Sequence, residues 1–187
     1  DRVWHMDFSP DGTHLAVSGK APELIALDDV NAPPIVLDLP PYELTQLPAW
    51  TPAIAYNPDG SLIATASHDG IARLWDSATG ELLATLESED NEYEYFESGD
   101  GVAFSPDGSL VAFGSCLQFD GSSANSCYDQ RIYIYDVATA LEQQNLYPSD
   151  ARFILKGARD YTVSLIFSPD GSLIIGSTVP AGWETEA

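Results

Sequence analysis

Basic residues are scarce in this chain: seven Lys and Arg stand against 29 Asp and Glu among 187 residues, a formal net charge of −22. A field of that sign repels phosphate backbones and anionic headgroups, so nucleic acid and membrane insertion are disfavoured and a partner drawn by charge is basic. Long apolar runs are missing as well, and nothing approaches the ~18 consecutive apolar residues of a membrane-spanning helix. The first residue is Asp1, not a methionine followed by an apolar signal, which leads us to expect a processed product or an excerpt of a longer polypeptide. No segment carries a convincing helical period, so almost no helix is expected. The machinery of catalysis is thin too. His5, His14 and His68 are scattered, and there is no Gly-x-Ser-x-Gly elbow, phosphate loop or His-Glu-x-x-His pair. No catalytic residue, metal site or cofactor is assigned.

What the sequence has is a repeat. One phrase occurs four times, at Phe8–Gly12, Tyr56–Gly60, Phe104–Gly108 and Phe167–Gly171, reading Phe-Ser-Pro-Asp-Gly with Tyr-Asn for Phe-Ser in the second copy. Pro presets φ for a tight turn, Ser or Asn accepts a local backbone hydrogen bond, and Gly takes the left-handed position that completes a hairpin. Apolar stretches flank every copy: "VWHMDF", "AIAY", "GVAF" and "VSLIF" before it, "THLAVSG", "SLIATAS", "SLVAFGS" and "SLIIGST" after it. These predict paired strands. Third strands follow as "ELIALD", "IARLWD" and "RIYIYD", which align Leu27, Trp75 and Tyr135 in one column and Asp28, Asp76 and Asp136 in the next. Fourth strands are "PIVLDL", "ELLATLE" and "RFILKG". Pro10 to Asp28 and Pro58 to Asp76 both span 18 residues, so the first two units share a register, whereas Pro106 to Asp136 spans 30 and implies an insertion of 12.

The stretch "YNPDGSLIATASHDGIARLWDSATGELLATLE" resembles the WD-repeat β-propeller family, with Trp75-Asp76 where that family has its signature dipeptide. "FSPDGSLVAFGS" with "RIYIYDVATA" is equally similar to the propellers of Tol-type proteins and prolyl-oligopeptidase-like peptidases. The resemblance implies an all-β fold, a β-propeller of four-stranded antiparallel blades with about three and a half blades present. Blade one runs over about 1–39, blade two 51–87, blade three 100–156 and half of blade four 161–187. It also implies a structural network through Ser67, Asp69 and Trp75, which lacks a His in the loop before blade two, and core roles for Trp75, Asp76 and Tyr135. Three and a half blades do not close a ring. Either the chain is part of a longer propeller, or copies complete one another through open blade edges.

Family geometry puts the Ser-Pro-Asp-Gly turns on one face of the disc and, on the other, the loops between second and third strands and between successive blades. The long segments Pro40 to Pro52, Glu87 to Asp100, Cys116 to Gln130 and Tyr147 to Tyr161 are all expected on that second face, where loops on a rigid scaffold serve binding. Glu87 to Asp100 holds seven acids in fourteen residues, with Tyr93, Tyr95 and Phe96 among them. Together with Trp50, the run Glu92, Tyr93, Glu94, Tyr95 and Phe96 suits a basic peptide or protein, held by charge and cation–π contact. The alternative is a solvated acidic loop with its aromatics tucked beneath. Cys116 and Cys127 lie inside the blade-three insertion, where a disulfide closes a short loop and places the protein in an oxidising, extracytoplasmic or secreted setting. The alternative is two free thiols in a cytoplasmic protein. The function expected is a non-catalytic protein-binding scaffold. Two other readings stay open: a gating propeller of a larger peptidase, and a subunit that self-assembles through blade edges.

Overall fold

The computed structural model describes residues 3–29, 31–39, 51–67, 69–88, 101–116, 130–158 and 161–179. They form a partial β-propeller. Blade one is the sheet of β1 (Met6–Phe8), β2 (His14–Val17), β3 (Glu23–Ala26) and β4 (Ile35–Val36), in that order. Blade two consists of β5 (Ala53–Tyr56), β6 (Leu62–Ala66), β7 (Ile71–Asp76) and β8 (Leu82–Glu87). In blade three, β9 (Val102–Phe104), β10 (Leu110–Cys116) and β11 (Gln130–Asp136) precede a short helix, α1 (Val137–Gln143), and a two-residue strand, β12 (Asn145–Leu146). Its fourth strand is β13 (Phe153–Ala158), and β14 (Tyr161–Phe167) pairs with β15 (Ile174–Val179) as the described half of blade four. The ten pairings between consecutive strands of the same blade are all antiparallel.

Equivalent turns sit in equivalent surroundings. In the first, Gly12 N–H donates to Ser9 O at 2.8 Å, His14 N–H donates to Ser9 Oγ at 2.9 Å, and Ser9 Oγ donates to Asp11 Oδ1 at 2.7 Å. The same bonds recur around Asn57, Ser105 and Ser168. The four turn glycines hold φ between 70° and 79°, open only at steric cost to residues with a Cβ. Gly60, Gly108 and Gly171 each lie against the proline ring of the preceding turn, Pro10, Pro58 and Pro106, so the turns are stacked round one rim.

The first strands β1, β5, β9 and β14 run side by side, and each blade buries its apolar face on the next. Ala16, Leu24 and Leu37 of blade one pack on Ile54, Ile63 and Trp75 of blade two. Ala64, Leu74, Ala84 and Leu86 of blade two meet Phe113, Tyr133 and Tyr135 of blade three, whose rings stack at 5.5 and 6.1 Å from Phe113. Ala112 and Ile134 of blade three meet Leu165 of blade four. Small residues on the second strands, Ala16, Ala64 and Ala112, are what let the sheets approach this closely.

Three sequence expectations need correction. First, the column Leu27, Trp75, Tyr135 does not hold. Trp75 pairs with Ile63 and Tyr135 with Val111, whereas the equivalent Leu15 pairs with Ile25. Blade one is therefore shifted by two residues at its third strand, and Leu27 is left 39% exposed past its end. Second, blade two has five strands, because β12 leaves blade three and adds parallel to β8, with Thr85 N–H donating to Gln144 O at 2.7 Å. Third, the segment Tyr147 to Tyr161 does not begin on the face opposite the turns, because its first residues belong to the connection from Asp136 to Phe153 on the turn side. Leu110, beside the turn, pairs with Asp136, so α1 and the 3-10 turn Pro148–Asp150 start from the turn side. α1 exists because Asp136 caps it, accepting from Thr139 N–H at 3.0 Å, and because Val137 and Ala140 are buried against blade two.

Candidate interaction face

The residues assigned to partner binding, Trp50, Glu92, Tyr93, Glu94, Tyr95 and Phe96, lie outside the described residues, as do His68 and Cys127; Cys116 ends β10. What the structure shows is the footing of the loops that carry them. The segment 40–50 is bounded by Leu39, packed on the core between blades one and two, and by buried Thr51. Thr51 N–H donates to Gly19 O at 3.0 Å, and its hydroxyl lies 3.2 Å from Ser67 Oγ. Ser18 Oγ accepts from His5 N–H at 2.8 Å and donates to Pro52 O at 3.2 Å. Two of these bonds, Thr51 N–H to Gly19 O and Ser18 Oγ to Pro52 O, tie blades one and two together where this segment ends.

The acidic segment is footed as firmly. Tyr135 of blade three donates its hydroxyl to Glu87 O at 2.7 Å, and Ser88 N–H donates to Gly70 O at 3.3 Å. At the other end Gly101 O accepts from Gly114 N–H at 3.1 Å, and Gly101 sits so close to Leu165 of blade four that a Cβ would meet it at 3.0 Å. The insertion 117–129 springs from the paired residues Cys116 and Gln130. Ala66, Cys116 and their partners Ala72 and Gln130 mark the ends of their sheets away from the turns, so the three segments leave from one face. Burial pushes the phenol of Tyr135 above the usual range, helped by nearby Tyr133, Asp150 and Glu87, so it stays a proton donor to Glu87.

Beneath that face is a buried ion pair. Asp69 follows β6 and Arg73 lies in β7; Arg73 donates to Asp69 Oδ2 at 2.6 Å and to Oδ1 at 3.2 Å, with side chains 3% and 2% exposed. Such a fork holds the connection between β6 and β7 in one geometry. The expected network of Ser67, Asp69 and Trp75 is not what forms. Trp75 Nε1 donates to Thr65 Oγ1 at 2.9 Å, and Ser67 instead faces Thr51. The register explains this. Thr65 is the diagonal neighbour of the Trp75–Ile63 pair, within reach of an indole, whereas Ser67 is two residues further along the same face. Asp76, the other half of the dipeptide, closes the turn after β7 by accepting from Ala78 N–H, Thr79 N–H and the Thr79 hydroxyl.

His5 Nδ1 lies 3.0 Å from Ile54 O and His14 Nδ1 2.8 Å from Thr13 Oγ1. The first contact bridges blades one and two, and the second lies within the turn region of blade one. Among the described residues no three His, Cys, Asp or Glu side chains converge as a metal set, and no helix is long and apolar enough to cross a membrane.

Comparison with known proteins agrees with this architecture. The model of the "WD domain, G-beta repeat" family matches residues 1–21 and 50–76, over blade one's first hairpin and most of blade two. The chain is also similar to "Small ribosomal subunit protein RACK1y" of Oryza sativa subsp. japonica, 30% identical over 122 residues, which are 65% of this chain and 30% of that protein. The chain therefore spans under a third of the length of that relative.

Proposed function

We propose that this chain is a non-catalytic interaction scaffold that holds a protein or peptide partner on the face carrying the segments 40–50, 89–100 and 117–129. The observation that supports it most is the shared, hydrogen-bonded footing of these segments on three adjoining blades, because loops fixed at both ends lose less entropy on binding. Similarity to WD-repeat proteins points the same way. The rice relative is by its name a ribosomal protein; a net charge of −22 disfavours direct contact of this chain with RNA, so a protein partner is the reading that carries over.

Trp50, Tyr93, Tyr95 and Phe96 are the proposed anchors, and Glu92 and Glu94 supply charge for a basic partner. Changing the four aromatics to Ala should abolish capture of partner proteins while leaving the melting transition in place. Undiminished capture would remove this face from consideration. We further propose that Cys116 and Cys127 are joined and that the protein works in an oxidising, extracytoplasmic compartment. Alkylation of the denatured, unreduced protein should then label neither thiol, and labelling of both would overturn it.

A further inference from the structure

The connection between third and fourth strands differs between blades two and three in a way that fills a groove. In blade two it is a tight turn: Asp76 Oδ1 accepts from Thr79 N–H at 2.8 Å, and Gly80, at φ 74°, sends the chain back into β8. Blade three begins alike, with Asp136 Oδ1 accepting from Thr139 N–H at 3.0 Å. Ala140 then stands where blade two has Gly80, so the chain runs on as α1 until Gln144 turns it at φ 67°. Gln144 is the sole non-glycine with positive φ among the described residues. That conformation costs free energy in any residue with a Cβ, and such strain concentrates at switches and binding sites.

The contacts made by this detour are few. β12 pairs only with Thr85 and Leu86, although β8 runs from Leu82 to Glu87. Gln144 O accepts from Thr85 N–H at 2.7 Å, and the Thr85 hydroxyl donates to Asn145 Oδ1 at 2.7 Å in an exposed position. Leu146, 1% exposed, enters the core that blades two and three share, whereas Asn145 and Tyr147 on either side of it are exposed. The chain then returns to blade three, where Arg152 N–H donates to Ile134 O at 2.8 Å. Both ends of the detour are thus fixed on blade three, and a short strained strand reaches across to blade two. The β8 edge, the Thr85 hydroxyl and the recess that takes Leu146 together form a groove, held shut by a weakly bound occupant.

We infer that this groove is a strand-addition site for an extended segment of a partner protein, and that β12 is an internal strap that competes for it. The strap displays the chemistry required of the partner: a strand parallel to β8, an amide or carboxylate side chain opposite Thr85, and a leucine-sized aliphatic residue next to it. A longer segment bonds to more of the β8 edge than β12 does and carries no strained residue, which is how it displaces the strap. The groove follows a sheet edge within blades two and three and does not depend on the loop face.

The test is fluorescence anisotropy with a labelled synthetic peptide of the strap's own sequence, residues 143–148. Saturable binding is expected, and exchange of the Asn145 and Leu146 amides of the protein with solvent should rise as the peptide binds. Leu146→Ser, which frees the strap from its recess, should tighten binding roughly tenfold or more. Gln144→Gly, which relieves the strain and so holds the strap closed, should weaken it about fivefold. A peptide carrying Asp in place of the leucine should not bind, an arm that needs no protein variant. Should Leu146→Ser fail to fold, Gln144→Gly decides, since its side chain is exposed. Absence of saturation, equal binding of the Asp peptide, equal affinity of Gln144→Gly and the unaltered protein, or binding that leaves the β12 amides protected overturns the proposal.

Discussion

At the scale of single residues, the ion pair of Asp69 and Arg73 shows how a polar pair and a hydrophobic sheet coexist. Both side chains are almost wholly buried, and the two bonds of the fork satisfy two of the guanidinium's three nitrogens, leaving Nε of Arg73 without a bond. Removing the acid strands a charge in a low-dielectric place. Asp69→Ala should therefore destabilise by about 3–5 kcal/mol in chemical denaturation. A double change, Asp69→Ala with Arg73→Leu, should recover much of that. Equal losses in single and double variants would mean that the carboxylate acts through the chain bend, where Asp69 Oδ1 also accepts from Ile71 N–H at 3.1 Å.

The turn aspartates act at the same scale and in one direction of pH. Serine hydroxyls and backbone N–H groups hold the carboxyls of Asp11, Asp107 and Asp170 down at about 2, against an ordinary value of 3.8. A carboxyl whose pKa is lower folded than unfolded binds protons more tightly in the unfolded chain. Its contribution is complete above about pH 4 and is lost as the pH falls towards 2. Stability should thus fall between these limits, and Asp107→Asn should flatten that fall by lowering the plateau at neutral pH while leaving stability at about pH 2 nearly unchanged. An unchanged slope in acid titration followed by circular dichroism would contradict it.

At the scale of elements, strands were legible because alternation of apolar residues and a four-fold turn phrase locate each one; every strand from the first to the fourth of blades one to three lies where the sequence puts it. What sequence did not show was register and excursion. Counting from Pro10 to Asp28 matches the count in blade two, but the chain spends those residues differently: Val17 pairs with Glu23 where Thr65 pairs with Arg73, so blade one has two fewer residues between its second and third strands and two more after them. Equal totals conceal opposite changes. α1 escaped notice since seven residues are too few to display a period. A signal was present, Asp136 followed by Val-Ala-Thr-Ala, in which the Asp that ends the third strand doubles as a helix cap. Asp136→Ala should cost about 1 kcal/mol through the lost cap, and should raise exchange of the β12 amides with solvent. If β12 stays protected, its pairing to β8 is held by Leu146, which is buried in the core of blades two and three, and not by the helix.

For the segments 40–50, 89–100 and 117–129, the sequence showed composition, and the structure adds the footing of their ends. Nothing in "LPAWTPAIAY" reveals that Thr51 meets Ser67, since the two come together only through the register in which β5 pairs with β6. The network through Trp75 was misplaced for a similar reason. Thr65 and Ser67 lie on one face of one strand, and only pairing with β7 decides which of them the indole reaches.

At the scale of the whole molecule, two tendencies oppose each other. The blade ends expose apolar surface: Met6 at 59% and Phe8 at 62% on the side of blade one turned away from blade two, Ile166 at 61% and Ile175 at 60% on the far side of blade four. By the repeat, one of these faces is the counterpart of the other, so contact between copies is heterologous and does not close on itself at two. Against this, two chains of net charge −22 repel. The repulsion acts over a Debye length of about 10 Å at 0.1 M salt and about 3 Å at 1 M, whereas apolar burial is insensitive to such screening. Light scattering should therefore give a monomer at low salt and a mass that grows with salt and with concentration. Met6→Glu with Ile175→Glu should hold the mass constant throughout. Capture of a basic partner by the loop face should respond to salt in the opposite sense, weakening as the field is screened. A mass that is independent of salt in the unaltered chain would show that these exposed apolar faces do not recognise one another.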